Sequence, residues 1–140
     1  MRRSYGGVVI DRFARVLLRE PAWHDKGQAW TFAKGGAKGG ESPGQAALRE
    51  VFEETGVRAE ITAKIPGSFD GGETANEFFL MRPLEDTGKF DWETWRVRWA
   101  SQEEAAALLS LTLKEKRRER DLHLLATAFT LYYTLEKPAG

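Results

Sequence analysis

The alternation of apolar and polar positions marks most elements of this chain. Residues 5–10 and 15–19 are short apolar runs separated by a polar turn, and they predict two strands. A loop is expected over 21–28, then a third short strand at Trp30, Thr31 and Phe32. A helix follows over 45–55. Ser42, Pro43, Gly44 and Gln45 form a capping box with proline at the first helical position. Gly56 stands where a left-handed C-terminal cap is wanted. Leu48, Val51 and Phe52, with Ala47, are expected to face a core. Residues 58–65 and 76–81 read as strands, separated by Pro66-Gly67 and Gly71-Gly72, and 83–90 as a polar loop. Over 95–99 the alternation predicts a half-buried strand, with Trp95, Val97 and Trp99 inward and Arg96 and Arg98 outward. Ser101 caps a helix to Leu109, with Glu103 and Glu104 in its first turn. A last helix is expected over 112–135, where Leu122, Leu125, Phe129 and Tyr132 recur as a core stripe. No repeat or linker interrupts this order, so the expectation is one α/β domain over residues 1–140.

Composition narrows the partners. Lys plus Arg and Asp plus Glu both number 21, so there is no overall basic field to draw nucleic acid or a membrane. Neither partner is expected, and oligomeric state stays open. With no cysteine, disulfides, thiolate metal sites and a cysteine nucleophile are excluded, which suits a cytoplasmic protein. The opening run MRRSYGGVVIDRFARVLL is broken by Asp11, Arg12 and Arg15 and is not expected to be a signal peptide.

The chemistry concentrates in residues 35–57, GGAKGGESPGQAALREVFEETGV. Glu50, Glu53 and Glu54 stand at i, i+3, i+4, which projects their carboxylates from one side of the expected helix. Such neighbours repel by roughly 0.2–0.5 kcal/mol per pair, and a cation would relieve them. Oxygen ligands without Cys or His suit Mg²⁺, with Mn²⁺ also possible. A solvated acidic helix face is the competing reading. The preceding loop holds Gly35, Gly36, Gly39 and Gly40, where backbone can approach a ligand closely.

The same stretch resembles the signature of the Nudix hydrolases, G-x5-E-x7-R-E-U-x-E-E-x-G-U, in which U is a bulky aliphatic. Gly35, Glu41, Arg49, Glu50, Val51, Glu53, Glu54, Gly56 and Val57 fill every defined place. The resemblance implies a Nudix-like α/β/α sandwich with a mixed sheet. It implies a metal-dependent pyrophosphohydrolase cutting a nucleoside diphosphate derivative with water. Glu50, Glu53 and Glu54 would bind the divalent metal, and Glu53 and Glu54 would also be catalytic. Arg49, counted with the catalytic residues, would pair with Glu41 and tie loop to helix. A non-catalytic binding module keeping the fold is the alternative class, disfavoured because no signature position is lost.

Outside the signature the candidates are fewer. The attacking water must also lose a proton, and the resemblance implies that a carboxylate outside the signature often takes it; Glu93, in a loop ahead of the 95–99 strand, is the candidate base. One of the signature glutamates could serve instead. Relatives that hydrolyse dinucleoside polyphosphates read W-x-x-P-K-G where this chain reads Trp30, Thr31, Phe32, Ala33, Lys34, Gly35. Ala33 replaces the proline. Lys34 and Gly35 are the expected phosphate contacts, and a dinucleoside polyphosphate is the favoured substrate. Nucleoside triphosphates, nucleotide sugars and diphosphoinositol compounds are the alternatives. Trp92 and Trp95 flank Glu93, and Trp95 is taken as a base-stacking candidate. The run 114–121, KEKRRERD, reads as a solvated helix face, with a second phosphate-contacting patch as the alternative. His24 and His123 are isolated and suggest no metal site.

Overall fold

The structure is a computed structural model that describes residues 2–23, 28–71 and 74–135. His24, Gly72 and residues 24–27 of the expected loop lie outside the described residues.

Two sheets carry the fold. β1 (Arg2–Val9), β3 (Ala33–Gly35), β4 (Val57–Lys64) and β5 (Thr74–Asp86) form a mixed sheet in the order β3-β1-β5-β4, with β1 parallel to β5. β2 (Val16–Pro21) and β6 (Thr94–Ala100) form a separate antiparallel pair. The helices are α1 (Pro43–Thr55), α2 (Gln102–Leu109) and α3 (Glu115–Leu135). One apolar cluster, including Val9, Ala47, Val51 and Met81, lies between α1 and the strands. A larger one joins both sheets to α2 and α3 through Leu18, Phe32, Phe78, Leu109 and Phe129. This is the expected α/β/α sandwich with a mixed sheet. Among the described residues no helix is long and apolar enough to cross a membrane.

Helix α1 forms as its caps predict. Ser42 Oγ accepts from the Gln45 amide at 3.2 Å, and Gln45 Oε1 accepts from the Ser42 amide at 2.9 Å. Gly56 takes φ 76° and donates its amide to the Phe52 carbonyl. Close approach to the sheet depends on Gly7, where an added Cβ would come within 2.8 Å of the Val51 side chain.

Several expected boundaries and faces shift, each for a local reason. β1 and β2 share only an Ile10–Val16 bridge and separate into different sheets. The third strand is residues 33–35; Thr31 instead bridges Arg19. β5 continues through Pro83 to Asp86, where an expected loop would begin. Pro83 pairs with Ala59 at a register shift, where a missing amide is tolerated. α3 starts at Glu115 because Thr112 is occupied elsewhere: its Oγ1 accepts from Gln28 Nε2 and the Ala29 amide. On α1, Phe52 is 36% exposed, while Ala46, Ala47, Val51, Glu54 and Thr55 are buried. The packed side of the helix is therefore turned toward Glu54. Trp95 is 67% exposed rather than inward, because Thr94 takes the buried place at the start of β6.

Candidate active site

The loop before α1 and the helix itself are clasped by Arg49. Its Nε donates to Glu41 Oε2 at 2.7 Å, and Nη2 donates to Glu41 Oε1 and the Gly36 carbonyl at 2.9 Å each. Nη1 donates to Glu50 Oε1 at 2.8 Å and Glu53 Oε1 at 2.9 Å. All five guanidinium donors are thus engaged. The Arg49 hydrogen bonds, aided by the Lys38 amide, hold Glu41 well below the usual carboxylate range. Gly35 is required beside this web, since a Cβ there would overlap the Glu50 carboxylate. Loop, helix and glutamate therefore meet only with glycine at that position.

Glu54 lies deeper, with its carboxyl against Glu50. It is 3% exposed, and its Oε1 has no hydrogen-bond donor. Arg19 Nε lies 3.3 Å from that oxygen. The contact is an ion-pair distance without hydrogen-bond geometry, because Arg19 Nε donates to Thr94 Oγ1 at 2.9 Å and Nη2 to the Glu93 carbonyl at 2.8 Å. Burial first, then the Glu50 carboxylate, pushes Glu54 up to about 9, with Arg19 opposing. Burial and two acidic neighbours outweigh one imperfect cation contact, which favours the protonated acid when no metal is bound.

The segment after β5 is pinned to the end of α1. The Asp91 amide donates to the Glu53 carbonyl at 2.8 Å, Thr94 Oγ1 to the Glu54 carbonyl at 2.7 Å, and the Thr87 amide to the Gly56 carbonyl at 3.0 Å. These bonds satisfy carbonyls that a helix end leaves open. They also hold Glu93 near the end of the acidic helix, where it lines one cleft with Glu54. Burial, then Asp91, raises the Glu93 carboxyl above its ordinary value.

A cleft of about 200 Å³ collects these groups. Its walls carry Glu54 and Glu93 together with Arg19, Lys34, Arg117 and Arg120. Burial, followed by the Arg120 charge, lowers Lys34 to about 8. Four cations against two carboxylates make the cleft a receptor for an anion. The larger cavity of about 470 Å³, around Arg12, Phe13 and Tyr132, shares no lining residue with the acidic helix.

Among the expected site residues, the cleft brings together Lys34, Glu54 and Glu93. Glu50, Glu53, Arg49 and Gly35 adjoin it through the clasp. Trp95 does not line it; it borders a shallow groove with Glu20 and Arg96. Trp92 is exposed and meets Trp23 edge-on at 5.6 Å. His123 is exposed and stacks on Phe69 at 5.2 Å. The solvated-face reading of residues 114–121 is overturned at its end. Arg120 is 7% exposed and Asp121 1% exposed, and both are inside. The stripe of Leu124, Leu125 and Ala128, continued one turn toward the N-terminus, lands on Arg120 and Asp121. That continuation was the available signal. Arg19 had a weaker one, a charge closing an apolar strand.

The glutamates offer oxygen donors alone, and Glu54 Oε1 is an orphaned buried acceptor, so the donor set fits a hard divalent cation. Among the described residues no three such side chains converge as a formed metal site. Arg49 explains this, because its Nη1 holds Glu50 and Glu53.

Comparison with known proteins identifies the family. The NUDIX domain family model matches residues 1–125. An RNA pyrophosphohydrolase of Novosphingobium aromaticivorans is 30% identical over 122 residues, covering 87% of this chain and 70% of that protein. An RNA pyrophosphohydrolase of Cereibacter sphaeroides is 51% identical over 72 residues, covering 46% of this chain and 41% of that protein. The solved structure of a C. elegans Ap4A hydrolase binary complex superposes with a TM-score of 0.72 at 20% identity, over 96% of this chain and 98% of that one. At that identity the superposition speaks for the fold alone.

Proposed function

This chain belongs to the Nudix hydrolase family, and on that premise we propose that it cleaves a phosphoanhydride bond in a nucleoside polyphosphate, with a dinucleoside polyphosphate favoured. The observation that carries the reading is the cleft in which orphaned Glu54 faces four cations. Cations accept the phosphate chain, and a nearby acid can exchange its proton for a metal.

In this reading Glu50, Glu53 and Glu54 would hold Mg²⁺, or Mn²⁺ in its place. Bound there, the ion would polarise a phosphoryl oxygen and ease deprotonation of water. Glu54 must release its proton to serve as a ligand, and Glu50 and Glu53 must leave Arg49 at least in part. Glu93 takes the proton from the attacking water; its raised affinity for protons moves it toward the range a general base needs near neutrality. Lys34 and Arg19 hold phosphoryl oxygens. Arg49 keeps the loop against α1 and touches no substrate. The protein acts in this reading as one domain in the cytoplasm.

The cleft is smaller than the roughly 300–1,000 Å³ of pockets that enclose a drug-sized ligand. It takes the phosphate chain and leaves the nucleoside outside, where Trp92 and Trp23 offer aromatic faces. A second reading, the triphosphorylated 5′ end of RNA, draws on the relatives named RNA pyrophosphohydrolase. The formal net charge of zero favours the small molecule, because a long backbone gains little from this surface.

The test is a panel of diadenosine polyphosphates, nucleoside triphosphates, nucleotide sugars and a 5′-triphosphorylated oligoribonucleotide, with Mg²⁺, ranked by kcat/KM. Diadenosine polyphosphates should lead. No metal-dependent turnover of any member would overturn the hydrolase reading, and a lead by the oligonucleotide would replace the favoured substrate.

A further inference from the structure

Arg120 reaches the cleft from α3, a different wall from the one that carries the glutamates. Its Nε donates to Asp121 Oδ1 at 2.9 Å. The other Asp121 oxygen accepts from Thr31 Oγ1 at 2.7 Å. Both oxygens of the buried carboxylate are thereby engaged, and the guanidinium is held at its Nε. Among the described residues neither Nη of Arg120 has a hydrogen-bond acceptor, yet the side chain lines the cleft. Guanidinium donors that open into a cleft favour a bidentate anion. Gly71 makes the room: a Cβ there would overlap Nη1 and come 3.2 Å from Cζ. Lys34 and Arg117 line the same cleft and extend the cationic wall.

We propose that Arg120, held in place by Asp121 and Thr31 and joined by Lys34, clamps the phosphoryl groups beyond the bond that is cut and so selects substrates with three or more linked phosphates. The inference rests on the hydrolase reading above. Two phosphoryl groups span the scissile linkage at the carboxylates. A diphosphate-linked substrate leaves none for the clamp, whereas a longer chain does. Asp121 is a positioning residue, because it acts only through Arg120.

Two measurements on Arg120→Gln, Arg120→Lys and Gly71→Ala test this. The first is calorimetric binding of inorganic tripolyphosphate and of pyrophosphate without divalent metal. The second is kinetics with Mg²⁺ on diadenosine tetraphosphate and on a nucleotide sugar. Arg120→Gln should weaken tripolyphosphate at least tenfold, and by a larger factor than it weakens pyrophosphate. On the tetraphosphate it should raise KM by a similar factor, and by a larger factor than on the nucleotide sugar. Arg120→Lys should recover part of the loss. Gly71→Ala keeps every charge and displaces the guanidinium, so it should reproduce the loss; it also decides the matter if Arg120→Gln does not fold. Parent-like tripolyphosphate binding in Gly71→Ala and in a folded Arg120→Gln would overturn the clamp, even if the enzyme hydrolyses its substrates. If the parent hydrolyses no nucleotide but the binding losses appear, the clamp stands and the hydrolase reading falls.

Discussion

Arg49 and Arg120 both lie against carboxylates at the end of a helix contact, but the protein uses their donors differently. Arg49 gives all five N–H groups to Glu41, Glu50, Glu53 and the Gly36 carbonyl. Arg120 gives one, to Asp121, and keeps the rest turned into the cleft among the described residues. The carboxylates differ in the same way. Glu41 has donors on both oxygens, while Glu54 has an oxygen with none. A saturated ionic cluster fixes a shape, since removing any member leaves charge uncompensated. An unsaturated one in a cleft stores the desolvation cost that a ligand can relieve. The contrast separates the part of the signature that builds the scaffold from the groups that act on substrate.

The largest effect should come from the unsaturated side. Glu54→Gln is expected to lower kcat on the order of 10²–10⁴-fold, and Glu53→Gln to act in the same direction. The fold should persist, because the amide removes a buried titratable group beside Glu50. Steady-state kinetics with Mg²⁺, together with circular dichroism, reads both. Near-normal turnover in both variants would place the chemistry elsewhere.

Glu93→Gln should cost about 10²-fold in kcat with modest change in KM, and flatten the acidic limb of the rate profile. Its carboxyl is raised in the folded protein, so that limb should lie above the ordinary carboxyl range. A variant within threefold of the parent would move the base to the signature helix.

Arg49→Ala tests the saturated side. Glu41, Glu50 and Glu53 would be left adjacent and half-buried, which should lower stability by about 1–3 kcal/mol. Urea denaturation measures this, and activity should fall with it as the loop loosens. Lost activity with unchanged stability would mean that Arg49 contacts substrate or metal-bound water instead.

How much of this could be read from the chain varies with the kind of signal. The caps of α1 and α2 depend on residues in immediate sequence contact, and Ser42, Gln45, Gly56 and Ser101 all behave as local chemistry requires. The signature placed Glu50, Glu53, Glu54 and Arg49 correctly on one helix. It could not show that the sheet would cover Glu54 and leave Phe52 exposed, because the rotation of α1 is set by tertiary packing against Gly7 and β1. Trp95 misled for a related reason. In a two-stranded sheet only part of each face meets a core, so alternation alone overcounts the buried positions. Residues 114–121 misled through composition, since a charged run hides that its last two members lie on the packed stripe.

The last prediction is a pH dependence of stability in the metal-free protein, and it tests the difference between the two carboxylates directly. Burial and Glu50 raise Glu54 from 4.5 to about 9 on folding. Between those values the folded protein keeps a proton that the unfolded chain has released. Stability from this group is complete below about pH 4.5 and is lost as pH rises toward 9. Lys34, lowered to about 8, acts oppositely only above that value, so the window to measure is about pH 5 to 8. The thermal midpoint should fall across it, and Glu54→Gln should flatten the slope relative to the parent. A divalent cation should reverse the trend, because it takes the place of the proton and binds better as the pH rises. Parallel slopes for parent and Glu54→Gln would mean that Glu54 is ionised against Arg19. It would then be a partnered charge like Glu41, and the distinction between a scaffold cluster and a working cluster would fail at its central residue.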